Sequence, residues 1–198
     1  MLPFSEACER NKEPILEALR AHFANRSQVL EIGSGTGQHA VYFAAHLAHL
    51  TWHPTERLGF LSDLAARVLA EGGRNLKPPT VLDVHQPVWP LRIVDAMFTA
   101  NTLHIMSWEE VTAMFQGIAA TLAPSGVLCV YGPFLYGGRD TAPSNLEFDR
   151  ILRERDARSG LREFRSVTEL AGGFGLELAA DHGLPANNRL LVFIKEPA

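Results

Sequence analysis

The run Val29-Leu30-Glu31-Ile32-Gly33-Ser34-Gly35-Thr36-Gly37-Gln38-His39 combines residue types suited to hold a nucleotide-like ligand. Val29, Leu30 and Ile32 predict a short buried strand, with one carboxylate, Glu31, set among them. Gly33, Gly35 and Gly37 follow at every second position, and Ala40, Val41, Phe43 and Ala44 then open a helical pattern. Glycine is needed where backbone turns with positive φ or passes close to a ligand without a Cβ in the way. The helix that follows turns its free N–H groups back toward that loop. Strand, loop and helix together predict a cradle whose contacts come from Glu31, Gly33, Ser34, Gly35 and Gly37.

The spacing narrows the ligand. Dinucleotide loops use G-x-G-x-x-G, whose last glycine lets helix and strand pack closely. Here Gln38 holds that position and the glycines run G-x-G-x-G, which argues against a nicotinamide oxidoreductase. An acid two positions before the first glycine, followed by G-x-G-x-G, resembles motif I of the class I S-adenosylmethionine (SAM) methyltransferases. SAM carries a zwitterionic methionine end and no pyrophosphate, so a carboxylate near its ammonium is favourable where it would repel a diphosphate.

Other candidate residues sit at strand ends, where open α/β sheets bind ligands. Glu56 stands 19 residues after Gly37 (56 − 37), close to the interval expected for an acid that accepts ribose hydroxyls. A vicinal diol offers two donors to one carboxylate, a charge-assisted pairing. The methyltransferase resemblance implies that Asp83, with Val84 beside it, lies near the adenine, and that Asn101 borders the methyl group. His104 is the leading candidate for a general base, because its ordinary pKa lies near neutral pH. Tyr136 after the fifth strand and Asp149 on a charged helix complete the catalytic candidates. Asn145, Asp149 and Arg153 share one helix face at i, i+4 and i+8. That face suits either a small polar substrate or a solvated salt-bridge ladder. Further substrate-side candidates are Arg10, Asn11 and Lys12 in the N-terminal arm and the pair Asn187-Asn188.

The elements that must position these groups follow from periodicity. An arm over Met1 to Lys12 leads into a helix with Ile15, Leu16, Leu19 and Phe23 at helical spacing and Pro14 in its first turn. Strands are predicted at His49 to His53 (running on into Pro54-Thr55-Glu56), Thr80 to Val84, Ile93 to Ala100 and Val127 to Tyr131. A closing pair is expected at Leu176 to Ala180 and Arg189 to Lys195. Helices are predicted at Leu58 to Leu69, Trp108 to Leu122, Leu146 to Arg158 and Val167 to Gly173, with a turn at Ser125-Gly126. Strand and helix alternate five times, which implies a parallel sheet covered on both faces. The expected fold is therefore Rossmann-like α/β of the class I methyltransferase type: a seven-stranded, mostly parallel sheet with an antiparallel final strand. One domain over residues 1–198 is expected, with residues 1–24 covering the cofactor.

Composition sets the outer limits. With 198 residues, 46% hydrophobic and 20% charged, the chain is an ordinary globular one. A net charge of −4 argues against a nucleic-acid partner. Cys8 and Cys129 show no metal or disulfide spacing, and no apolar run is long enough to span a membrane, which predicts a soluble, cytoplasmic protein. No catalytic metal is expected, because the fourth strand ends Ala100-Asn101-Thr102 without an aspartate.

Beyond motif I, the chain resembles an uncharacterised methyltransferase-like family found in bacteria and eukaryotes. The resemblance rests on SEACERNKEPIL (Ser5–Leu16), WHPTE (Trp52–Glu56), NTLHIMSW (Asn101–Trp108), YGPF (Tyr131–Phe134), the stretch Ser144–Glu163, and PANNRLLVF (Pro185–Phe193). Many relatives carry Ser-Asp where this chain has Thr55-Glu56. The resemblance implies a SAM-dependent fold; the strand end Asn101-Thr102-Leu103-His104, which lacks the Asn/Asp-Pro-Pro-aromatic motif of nucleic-acid amino-methylases, points to a small-molecule acceptor, and a homodimer is a candidate assembly. A non-catalytic SAM-binding regulator or partner subunit is the alternative.

Overall fold

Hydrophobic strands with alternate side chains pointing to opposite faces build the centre of the molecule. The computed structural model describes residues 2–137 and 141–197. Its elements run α1 (Glu6–His22), β1 (Gln28–Ile32), α2 (Gln38–His46), β2 (Thr51–Glu56), a 3-10 turn (Leu58–Phe60), α3 (Leu61–Glu71), β3 (Thr80–Val81) and β4 (Val94–Ala100). Then come α4 (Trp108–Thr121), β5 (Leu122–Gly132), β6 (Phe134–Leu135), α5 (Pro143–Arg155), β7 (Arg162–Glu163), α6 (Phe164–Gly173), β8 (Leu176–Leu184) and β9 (Asn188–Lys195). The main sheet has the order β3-β2-β1-β4-β5-β9-β8. All neighbours pair parallel except β9, which is antiparallel to both β5 and β8. This is the expected seven-stranded Rossmann-like architecture.

Two cores follow from the pleat. Leu30, Met97, Leu128 and Phe193 pack under α4 and α6 with Phe115, Ile118 and Val167. Val29, Phe98, Cys129 and Val192 face α1 and α2 with Leu19 and Phe43. Strand β4 is buried on both faces, which is why its sequence lacks alternation. Among the described residues no helix is long and apolar enough to cross a membrane.

Several boundaries depart from the sequence reading. Helix α1 begins at Glu6 rather than after Lys12, because Ser5 caps it by accepting from Cys8 N–H and Glu6 and Glu9 fill its first turn. Pro14 therefore lies inside the helix. It removes the N–H that would bond the Arg10 carbonyl. Strand β3 stops at Val81, so Asp83 and Val84 stand in the loop beyond it. Helix α5 starts three residues early, at Pro143, whose fixed φ suits a first turn. Strand β5 starts at Leu122 and absorbs the predicted turn as an irregularity, with Ser125 at φ +59°. The two-residue pair β6 and β7 forms a separate parallel ladder that no periodicity announces.

Candidate active site

The glycine loop leaves β1 at the centre of the sheet and enters α2 through Gly37, the left-handed N-cap at φ +77°. Its three glycines meet different surroundings. A Cβ on Gly33 would stand 2.5 Å from Thr102 Cγ2, and one on Gly37 would stand 2.8 Å from Leu64 Cδ1. Both therefore serve close packing. Gly35, at φ +54°, has nothing within 4 Å of its Cβ position, so it alone faces open space. Ser34 pins the loop to β2: its N–H donates to the Thr55 carbonyl (2.9 Å) and its Oγ accepts from Thr55 N–H (3.2 Å).

Glu56, at the end of β2, accepts the Gly35 N–H at 2.8 Å on one oxygen and the Arg57 N–H at 2.8 Å on the other. Glu31 is turned inward, 2% exposed, and accepts from the Trp52 indole at 2.8 Å. Trp52 is itself fully buried, so its N–H needs this partner. Burial pushes the Glu31 carboxyl up to about 7, and the nearby Glu56 charge acts in the same direction. The native state then holds a proton that the unfolded chain releases, so stability falls as pH rises from about 4.5 through about 7. Glu31→Gln keeps an acceptor for Trp52 and removes the titration. Above pH 7 we expect this variant to melt higher than the parent by roughly 6–12 °C, on the order of 3 kcal/mol, and the gap to close below pH 5. Melting curves across pH 4.5–8 check this, and a pH-independent difference would reject it.

The N-terminal segment lies over the loop through contacts invisible in the sequence. Ser5 and Gln38 exchange hydrogen bonds between backbone and side-chain amide. Arg67 donates to the Thr36 carbonyl (2.7 Å) and to the Pro3 carbonyl. Asn11, 8% exposed, meets His39 Nε2 at 2.6 Å, and burial lowers the His39 pKa to about 4. The charged arm candidates point elsewhere: Arg10 and Lys12 pair with Glu6 and Glu9 on the helix surface.

Asp83 accepts the His85 N–H at 3.0 Å on Oδ1, an Asx turn that organises the loop, and its Oδ2 bonds nothing among the described residues. Val84 is half-buried beside the α4 core. At the end of β4, Asn101 adopts φ +59°, a left-handed conformation that asparagine tolerates, with its N–H on the Tyr131 carbonyl (2.9 Å). The Cβ position of Gly132 lies 3.7 Å from Asn101 Oδ1 and 3.9 Å from His104 Nδ1. Amide, imidazole and bare backbone thus converge at the ends of β4 and β5.

His104 is 7% exposed, edge-on to Phe148 of α5 at 5.4 Å between ring centres. Burial, with the Arg162 charge second, lowers its pKa to about 4, so it is neutral at pH 7 and a weak base. Arg162 braces this turn, donating to the carbonyls of Leu103 (3.0 Å), Arg158 (3.0 Å) and Met106. Asp149 lies close by, with its oxygens on the Leu161 N–H (2.7 Å) and Arg153 Nε (2.9 Å). Those bonds tie α5 to the approach of β7. The shared helix face therefore divides: Asp149 and Arg153 form an ion pair, whereas Asn145 is 7% exposed and lines a cleft.

That cleft, of about 460 Å³, runs between β6, the start of α5 and the β8–β9 turn. Tyr136 forms one wall. Its hydroxyl donates to Asp181 Oδ2 (2.8 Å), its ring stacks on Phe164 at 4.8 Å, and burial raises its pKa. The glycine loop, Asn101, Gly132 and the cleft all occupy the carboxyl-end edge of the parallel strands. Spacing announces none of Arg67, Arg162, Asp181 or Arg189: Arg67 reaches Thr36 and Pro3, Arg162 reaches Leu103 and Met106, and Asp181 couples Arg189 to Tyr136 across the fold.

A family model described as "Protein of unknown function (DUF938)" matches residues 2–195. Among solved structures, the chain is similar to an O-methyltransferase family protein from Burkholderia thailandensis (14% identity, TM-score 0.83, covering 98% of this chain and 58% of that one). It is also similar to the mitomycin 7-O-methyltransferase MmcR (17%, 0.78, 94% and 54%). A third is human N-acetylserotonin methyltransferase, solved in complex with SAM (14%, 0.75, 96% and 53%). The chain spans just over half the length of these proteins, and at such identities the likeness is one of fold.

Proposed function

The chain belongs to the DUF938 family of proteins of unknown function, and from its site we propose that it is a SAM-dependent methyltransferase acting on a small-molecule acceptor. The observation that carries this reading is the Gly35 N–H. A diphosphate in a glycine loop needs that kind of donor, and here the Glu56 carboxylate already holds it at 2.8 Å. The site thus presents an acid, Glu56, where a phosphate ligand requires donors. Acids suit a ligand with cationic groups and a ribose diol. The open space at Gly35 fits such a ligand, because it is a space that a side chain would fill. The methyltransferase fold of the structural neighbours supports the same reading.

In this proposal Glu56 accepts the ribose hydroxyls, and Asp83, with its free Oδ2, and Val84 face the adenine. The loop Gly33–Gly37 lies against the methionine end, and Glu31, held by Trp52, supports that loop from within the core. SAM, when bound, supplies a methyl group on a sulfonium, an electrophile that needs little further activation. The chain's own task is to align the acceptor and exclude water, and orientation of this kind is worth on the order of 7–11 kcal/mol. Asn101 and His104 border the acceptor atom. A neutral His104 can accept the acceptor's proton as the new bond forms, although its low pKa limits it to acceptors that lose a proton readily. Segment Pro3–Asn11 closes over the loop. The net charge of −4 favours a metabolite over a nucleic acid.

Calorimetric titration with SAM and S-adenosylhomocysteine tests the reading. We expect micromolar binding of both, and a melting increase of roughly 5–11 °C at 100 times Kd, from about 2.7 kcal/mol of linkage. NAD should give no shift. Failure of both adenosyl ligands to bind would overturn the assignment.

A further inference from the structure

Arg189 carries a second reading, one that rests on the proposed methyl transfer and names the acceptor. It is the second residue of β9, directly opposite Gly132 of β5 at a cross-strand Cα spacing of about 5 Å, and the Gly132 Cβ position in turn lies within 4 Å of Asn101 Oδ1 and His104 Nδ1. Its guanidinium is fixed from one side. Nε donates to Asp181 Oδ1 (2.7 Å), Nη2 donates to the Asp181 carbonyl (3.2 Å), and Cζ lies 5.4 Å from the centre of the Tyr136 ring. Nη1 bonds nothing among the described residues. It stands 3.0 Å from where a Cβ on Gly183 would be, so Gly183 leaves room for this end of the fork. Both residues line the 460 Å³ cleft, a volume within the usual range for small-molecule sites.

Among the described residues of the lining, Arg189 is the one charged side chain; its ion-pair partner Asp181 lies behind it, with one oxygen on Arg189 and the other on Tyr136. Ala142, also on the lining, is the N-cap of α5 and offers no side-chain cap, and the first turn of that helix holds no acid. Among the described residues, no acid in that first turn opposes the positive end of the helix dipole. Asn145 adds a different requirement. It is 7% exposed, its Nδ2 donates to the Asn187 carbonyl (3.1 Å), and its Oδ1 accepts from nothing among the described residues. That oxygen is not sealed from solvent and reaches the cleft, where it can accept from a ligand. Phe134 and Tyr136 supply flat apolar walls.

We propose that this cleft binds the methyl acceptor, and that the acceptor is a small carboxylic acid bearing a hydroxyl or amino group. Arg189 Nη1 holds the carboxylate and Asn145 Oδ1 accepts from the hydroxyl or amine. The probes are 2-, 3- and 4-hydroxybenzoate and 4-aminobenzoate, each paired with the carboxamide of the same skeleton, and benzoate itself. Ligand-observed NMR measures binding to the full chain with and without S-adenosylhomocysteine, and labelled SAM reports methyl transfer. We expect at least one acid to bind about tenfold more tightly than its amide, the equivalent of one full step in the affinity scale. In Arg189→Gln that preference should shrink to within about twofold, while S-adenosylhomocysteine titration of the variant reports an intact fold. Asn145→Ala, which leaves the ion pair untouched, should lose the advantage of the hydroxybenzoates over benzoate. Equal binding of acids and amides, no binding of any acid, or a preference that survives in Arg189→Gln overturns the proposal. Acid preference in a protein that binds neither SAM nor S-adenosylhomocysteine would uphold the cleft's selectivity and reject the methyltransferase reading.

Discussion

Replacing Gly35 with valine is expected to lower SAM affinity by on the order of 100-fold or more, with only a modest loss of stability. The backbone there sits at φ +54°, and a side chain in that region costs about 1–2 kcal/mol, somewhat more when β-branched. No neighbouring atom opposes the new Cβ, so the melting temperature should fall by roughly 2–8 °C and no further. The valine would instead occupy the space proposed for the ligand. Gly37→Val is the matched control. It has similar backbone strain at φ +77°, but its Cβ runs into Leu64 at 2.8 Å and Arg67 at 3.2 Å, adding about 1–3 kcal/mol of overpacking. Gly33→Ala meets Thr102 at 2.5 Å and belongs with it. The expected pattern is therefore a reversal: Gly35→Val is the better folded and the poorer binder, and the other two lose stability first. Paired melting and calorimetry on the three variants checks it. A Gly35→Val protein that bound SAM as the parent does would remove the glycine loop from the cofactor site.

Arg162→Met is expected to be the most destabilising single change near the proposed acceptor atom. Arg162 is 9% exposed, and its guanidinium serves the carbonyls of Leu103, Met106 and Arg158 together. Methionine fills much of the volume but leaves those acceptors without a donor, at a combined cost of about 3–5 kcal/mol, or roughly 6–20 °C in melting temperature. A second consequence separates positioning from mere stability. Burial is the main cause of the low His104 pKa and the Arg162 charge is the next, so the variant should titrate His104 at a higher pH. Imidazole NMR signals followed across pH 3–7 report that shift. Methyl transfer should fall while SAM affinity stays near the parent value, because the cofactor loop receives nothing from Arg162. Unchanged His104 titration would mean that Arg162 supports the turn without influencing the base.

Much of the architecture was legible in the chain itself. Val29-Leu30-Glu31-Ile32 followed by alternate glycines announces a strand, a tight loop and a helix, and the unbroken apolar run of β4 announces a strand covered on both sides. Those features are local. They depend on which backbone conformations a residue tolerates and on how often apolar side chains recur, and both are properties of neighbours in sequence. The long pairing of β8 with β9 and the antiparallel closure extend the same logic.

Tertiary structure alone assigned the individual roles. Three glycines that look equivalent in sequence divide into one facing open space and two facing Thr102, Leu64 and Arg67, which arrive from distant elements. Asp149 and Asn145 share a helix face, yet one is spent on Arg153 and Leu161 while the other lines the cleft. Glu31 looked like a group offered to a ligand, and Trp52, brought alongside by the β1–β2 pairing, draws it into the interior. Periodicity records that a side chain is buried or exposed. Which atom it meets there is set by how separate elements dock, and neither propensity nor spacing along the chain encodes that partner.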